Sequence, residues 1–110
     1  MTETEFLSVA QGVLNQIETT IEQAADTAHV DIECSRSGNV LEIEFIANGS
    51  KMIVNTQSPM QEIWVAARAG GFHFRLQHGH WYDTRDGSEL FAALSKLATE
   101  QAGVPLNIGA

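Results

Sequence analysis

Cysteine is nearly absent: Cys34 is the single one in 110 residues. An internal disulfide framework and any multi-cysteine zinc or iron–sulfur site are therefore excluded. Cationic side chains are scarce too, with six lysines and arginines against fourteen aspartates and glutamates and a net charge of −8. That balance argues against nucleic acid and anionic membrane as partners. No apolar run approaches the roughly 18 residues that a membrane-spanning helix needs. The opening Met1-Thr2-Glu3-Thr4-Glu5 is acidic where a secretory or transit peptide would be basic. No repeat, linker or low-complexity segment interrupts the chain. These absences predict one domain over residues 1–110, without membrane attachment, in the reducing cytoplasm.

What is present is unevenly placed. Residues 1–44 carry nine acids (Glu3, Glu5, Glu18, Glu22, Asp26, Asp31, Glu33, Glu42, Glu44) and one base, Arg36. Residues 45–110 carry five acids and five bases, so the whole excess lies in the first two-fifths of the chain.

Residues 3–26 read as an amphipathic helix whose apolar face is Phe6, Val9, Ala10, Val13, Ile17, Ile21 and Ala24. Glu18, Glu22 and Asp26 fall within about 80° of one another on its far side. Alternating segments follow. Val30, Ile32 and Cys34 oppose Asp31 and Glu33; Leu41, Ile43 and Phe45 oppose Glu42 and Glu44. Turns are predicted at Arg36–Asn39 and Ala47–Ser50. Strands are predicted over Lys51–Thr56, around Ile63–Val65, over Phe72–Leu76 and at Trp81-Tyr82. Asp86-Gly87-Ser88-Glu89 has the form of a capping box with Asp86 as N-cap, opening a second helix that Gly103 and Pro105 end. The expected architecture is an α+β, two-layer sandwich: two terminal helices on one face of a five- to six-stranded antiparallel sheet whose other face meets water.

Motifs of catalysis are missing. There is no phosphate-cradling glycine loop, nucleophile elbow or helix with paired histidines. Cys34 sits at an inward strand position, where a thiol is inert. His78-Gly79-His80 could pinch a metal but reads more simply as a solvated turn. The acids are the strongest feature: Asp31, Glu33, Glu42 and Glu44 share one hairpin face, and Glu18, Glu22 and Asp26 lead into it. Carboxylates in such a ridge suit hard cations such as iron, manganese, calcium or magnesium; the alternative is a solubilising charged face. Trp64, between inward Ile63 and Val65, should face the open side of the sheet. There it is either a protein-contact anchor or packed over Asn55 or His73.

The run Asn48–Pro59, then Ile63-Trp64-Val65-Ala66, then Gly70-Gly71-Phe72-His73-Phe74, resembles the frataxin family in its bacterial form. Trp81, the Asp86-Gly87 helix start and the acidic first helix with its acidic strand match as well. Asn55, Gln57, Pro59 and Trp64 spell the family's Asn-x-Gln-x-Pro-x-x-x-x-Trp signature. The resemblance implies a monomer, able to oligomerise with iron, that binds ferrous or ferric iron weakly through the ridge. It also implies contact with the cysteine desulfurase and scaffold protein of iron–sulfur cluster assembly, as a regulator rather than an enzyme. Carried over by position, the metal candidates are Glu18, Glu22, Asp26, Asp31 and Glu33, with other divalent cations as competitors. The partner-binding candidates are Glu18, Glu22, Asn55, Gln57 and Trp64. Thr19, Gln23, Ala25 and Thr27 interrupt the ridge relative to the family pattern, and His29 could add a nitrogen ligand beside Asp31. The competing functions are a ferroxidase-like iron handler and an iron-independent interaction domain.

Overall fold

The computed structural model describes residues 1–109. Helix α1 (Glu3–Ala28) begins at Thr2, whose Oγ1 accepts the Glu5 N–H at 3.1 Å while Glu5 Oε1 accepts the Thr2 N–H at 2.9 Å. Two otherwise orphaned donors are satisfied by that reciprocal box. The buried line is Phe6, Ala10, Leu14, Ile17, Ile21 and Ala25. It is rotated from the expected face: Leu14 joins it, Val9 is 40% exposed, and Val13 and Ala24 are half-buried. Steps of four and three keep that line continuous along the helix, so Val9 is left on its flank. The helix runs two residues past the expected end and stops at His29, which takes a left-handed conformation (φ 58°).

Six strands follow: β1 (Ile32–Ser37), β2 (Val40–Phe45), β3 (Ser50–Gln57), β4 (Glu62–Ala67), β5 (Gly70–Gln77) and β6 (His80–Asp83). All neighbours are antiparallel and the sheet order is the chain order, β1 to β6. Gly38 (φ 58°) turns β1 into β2, and His78-Gly79, both at positive φ, turns β5 into β6. Leu41, Ile43, Phe45, Met52, Val54, Ile63, Val65 and Phe74 point to the helix side and are buried. Each such side chain contributes roughly 1.5–3 kcal/mol through burial. Trp81 meets Phe6 of α1 edge to face, with centroids 6.1 Å apart.

Helix α2 (Leu90–Ala102) corrects one expectation. Its N-cap is Glu89, not Asp86; the Glu89 carboxylate accepts the Phe91 and Ala92 N–H groups at 3.0 and 3.1 Å. Asp86 is occupied elsewhere: it accepts the Ser88 N–H at 2.9 Å in a turn that Gly87 (φ 75°) makes possible. Leu90, Phe91, Leu94, Leu97 and Ala98 pack on the sheet beside α1. Both helices thus cover one face of the six-stranded antiparallel sheet, as expected. No helix is long and apolar enough to cross a membrane among the described residues.

Gln101, 3% exposed, fixes the far end of α2. Its Nε2 donates to Ser50 Oγ and the Lys51 carbonyl, and its Oε1 accepts the Arg68 N–H. One amide therefore satisfies backbone groups from both the β3 start and the loop after β4.

Candidate functional site

Strand register decides which polar residues meet. In the β1–β2 ladder Glu33 stands directly opposite Glu44, and Ser35 opposite Glu42. Like charges placed face to face weaken the pair they sit on. Glu42 has a counterion in Lys51 at 2.7 Å. Glu18 has one in Arg36 at 3.4 Å, and Arg36 also donates to Asn15 and Gln11 of α1. The single base of the acidic segment is thereby spent pinning β1 beneath α1. Glu22, Asp26, Asp31, Glu33 and Glu44 have no cationic side chain in salt-bridge reach among the described residues.

Glu22 and Asp26 on α1 face Asp31 and Glu33 across a cleft of about 460 Å³, floored by Ala25, Val30, Ile32 and Ile46. The donors are hard oxygens, which suit hard cations. Yet no three carboxylate, imidazole or thiol groups converge on one point among the described residues. The cleft therefore suits a hydrated ion touched by one or two carboxylates at a time, not a cage. His29 is exposed and serves as the helix C-cap. Cys34 lies on the helix side of β1, where burial, then the charges of Glu22 and Glu18, push its thiol up to about 12. A thiol held protonated in this way is a poor nucleophile.

The open face of the sheet holds the other candidates. Asn55 is paired with Trp64 across β3–β4, and Gln57 with Glu62. Gln57 Nε2 donates to Asn55 Oδ1 at 3.1 Å. Trp64 is half-buried and stacks on His73, with centroids 4.2 Å apart and planes 7° from parallel. Trp64 thus packs over His73 while staying partly exposed on the open face of the sheet.

Beneath the stack lies Glu62, an acid the sequence reading missed. Its side chain is 5% exposed although it points away from the helices. One oxygen accepts Trp64 Nε1–H at 2.8 Å and the other accepts Arg75 Nε–H at 2.7 Å. His73 Nδ1 is 3.6 Å from it, an ion pair when the ring is protonated. Burial pushes the Glu62 carboxyl up, but the bonds from Trp64 and Arg75 and the nearby positive charge outweigh it, and the net displacement is downward. Period-two parity was the available signal: Glu62 precedes Trp64 by two residues and Arg75 follows His73 by two.

Frataxin-like domains share this architecture, and the chain belongs to that family: the family model, a frataxin-like domain, matches residues 1–104. Within it the similarity is to bacterial members named iron-sulfur cluster assembly protein CyaY. The protein of Janthinobacterium sp. (strain Marseille) is 61% identical over 106 residues, covering 96% of this chain and 95% of that one. That of Herminiimonas arsenicoxydans is 62% identical over 104 residues, covering 94% and 93%. Among solved structures, frataxin from Psychromonas ingrahamii matches with a TM-score of 0.81 at 28% identity over the full length of both chains. Trimeric frataxin from the yeast Saccharomyces cerevisiae, complexed with ferrous iron, matches at 0.72 and 26% identity, covering 86% of this chain and 84% of that one.

Proposed function

We propose that this chain is a non-catalytic, iron-responsive regulator of iron–sulfur cluster assembly, acting in the cytoplasm on the cysteine desulfurase and its scaffold protein. The observation that carries this is the set of ridge carboxylates left without a counter-cation, continuous through β1 and β2 with the open face bearing Asn55, Gln57 and Trp64. The names of the CyaY relatives support the assembly role, and the ferrous complex of yeast frataxin supports iron as the effector. Glu22, Asp26, Asp31 and Glu33 would hold the ion loosely, and the same charges would steer a basic partner surface. Loading the cleft with a cation then competes with, or tunes, that attraction. A monomer fits this role, with iron-driven association of several copies as a further consequence of bridged carboxylates. An iron-oxidising role is less well supported, because a redox step needs a defined ligand set and these donors do not converge.

Charge reversal tests the docking. Glu22→Lys with Asp26→Lys should weaken desulfurase binding by about 1–3 kcal/mol, mainly by slowing association. Both residues are exposed and neither is bonded to Arg36, whose ion pair is with Glu18. Binding should also weaken steeply as salt shortens the ~10 Å reach of the charges. An affinity indifferent to salt in stopped-flow or calorimetric titration would remove the electrostatic account.

Trp64 tests the open face. Trp64→Ala should weaken binding of the desulfurase–scaffold complex by about 2 kcal/mol or more. Its stability should fall by only about 1–2 kcal/mol, from the lost stack and hydrogen bond. A melting temperature that drops as far as for core Trp81→Ala, about 3–5 kcal/mol, would assign the indole to the fold instead.

A further inference from the structure

The two edges of the sheet are not alike. At β6 the chain covers its own edge: Tyr82 bridges to Glu89, and the Asp83 N–H donates to the Ser88 carbonyl at 2.8 Å. At β1 nothing does. The Ile46 N–H donates to the Asp31 carbonyl at 3.1 Å, which fixes the parity of the β1–β2 ladder. Glu33 and Ser35 therefore bond inward to β2, while the backbone groups of Ile32, Cys34 and Arg36 point outward. Among the described residues no other part of the chain hydrogen-bonds to them.

This edge has neither proline nor bulge to blunt it. It is flanked by acids on both sides, Asp31 and Glu33 toward the open face and Glu22 and Asp26 across the cleft on the helix side. A second copy of the same strand would bring like charges together and be repelled. A cationic strand would meet the opposite condition: unpaired backbone donors and acceptors, carboxylates without counterions, and a cleft floor of Val30, Ile32 and Ala25.

We propose that the β1 edge takes an extended basic segment of a partner protein as a seventh strand, with lysine or arginine at alternate positions toward Asp31 and Glu33 and apolar β-branched residues between them toward the cleft. Backbone pairing supplies affinity and the alternate side chains supply specificity. This rests on the ridge being the partner surface, and it adds the form the partner takes there. Antiparallel addition places the bonding N–H groups of the incoming strand on its apolar residues, opposite Ile32, Cys34 and Arg36.

The probe is a short acetylated and amidated peptide of alternating lysine and valine, added to the full chain. Amide hydrogen exchange read by NMR should slow by about tenfold or more at Ile32, Cys34 and Arg36. Glu33 and Ser35, already inside the ladder, should change little. N-methylation of the valine nitrogens should weaken binding by about tenfold or more relative to the isomer methylated on the lysine nitrogens. The two isomers have the same charge and mass, so charge alone cannot separate them. Binding of both isomers as tightly as the parent peptide, or binding without slowed exchange at the three amides, would overturn strand addition. Either result, if salt-sensitive, would leave the acidic ridge standing as an electrostatic surface. A parent peptide that does not bind at all overturns the strand proposal, and charge reversal at Glu22 and Asp26 then judges the ridge separately.

Discussion

Glu62→Gln should destabilise the protein by about 2–3 kcal/mol near neutral pH, a large effect for a residue on the outer face of a sheet. The carboxylate receives hydrogen bonds from Trp64 and Arg75 with His73 close by. An amide of the same shape turns a donor toward one of those donors and removes the charge that Arg75 answers. The sign of the pH dependence follows from the lowered carboxyl. Its stabilisation is present above the ordinary value of 4.5 and is lost as pH falls through the lower value of the folded state. The gap between wild type and variant in urea unfolding should therefore be full at about pH 7 and shrink below about pH 4.5. A gap as wide at about pH 3 as at pH 7 would trace the loss to packing and not to charge. Near-ultraviolet circular dichroism should change with the substitution, because the Trp64 indole loses the bond that orients it.

Multivalent cations should raise stability by a comparable amount. Glu33 and Glu44 are locked opposite each other, and Glu22 and Asp26 line one open cleft with Asp31 and Glu33. The folded chain fixes that repulsion, whereas the unfolded chain relaxes it, so a bound cation favours the native state. At free metal about 100 times its dissociation constant, mass action adds about 2.7 kcal/mol. Each kcal/mol should lift the melting temperature of a domain near this size by about 4–8 °C. Anaerobic ferrous iron, calcium or magnesium should outperform sodium at matched ionic strength, and Asp31→Asn with Glu33→Gln should reduce the gain. Equal shifts from sodium would mean that the ridge is only a screened charged face.

Much of the molecule was legible from pattern alone. Period-two alternation located the strands, and the one-sided placement of Leu41, Ile43 and Phe45 against Glu42 and Glu44 announced a sheet with one covered face. The errors came where local signals compete. Asp86 and Glu89 are both adequate N-caps, and only the turn at Gly87 decides between them. Val9 and Leu14 are both apolar at helical spacing, and only the sheet beneath α1 decides which is buried. Glu22, Asp26, Asp31 and Glu33 are near neighbours in sequence, and the chain reversal at His29 is enough to bring them to one cleft. The Glu62 cluster was not legible in this way, because it joins β4 to β5 through a register that sequence does not state. The same limit applies to Arg36, whose contacts with α1 neutralise part of the ridge from a position that reads as a turn.

The sequential order of the sheet bears on how the chain is made. Every strand after β1 pairs with the one synthesised just before it, so each ladder can close as its second strand emerges, without waiting for distant sequence. Helix α1 has no such neighbour. It emerges first, and its apolar line from Phe6 to Ala25 must wait for β1 to β3 before it has a sheet to lie on. At ~5–20 residues per second, synthesis from Ala28 to Gln57 takes roughly 1.5–6 s. Over that interval the apolar line is bare, and Glu3, Glu5, Glu18, Glu22 and Asp26, with no base on the helix, give α1 a net negative charge that opposes contact between nascent copies.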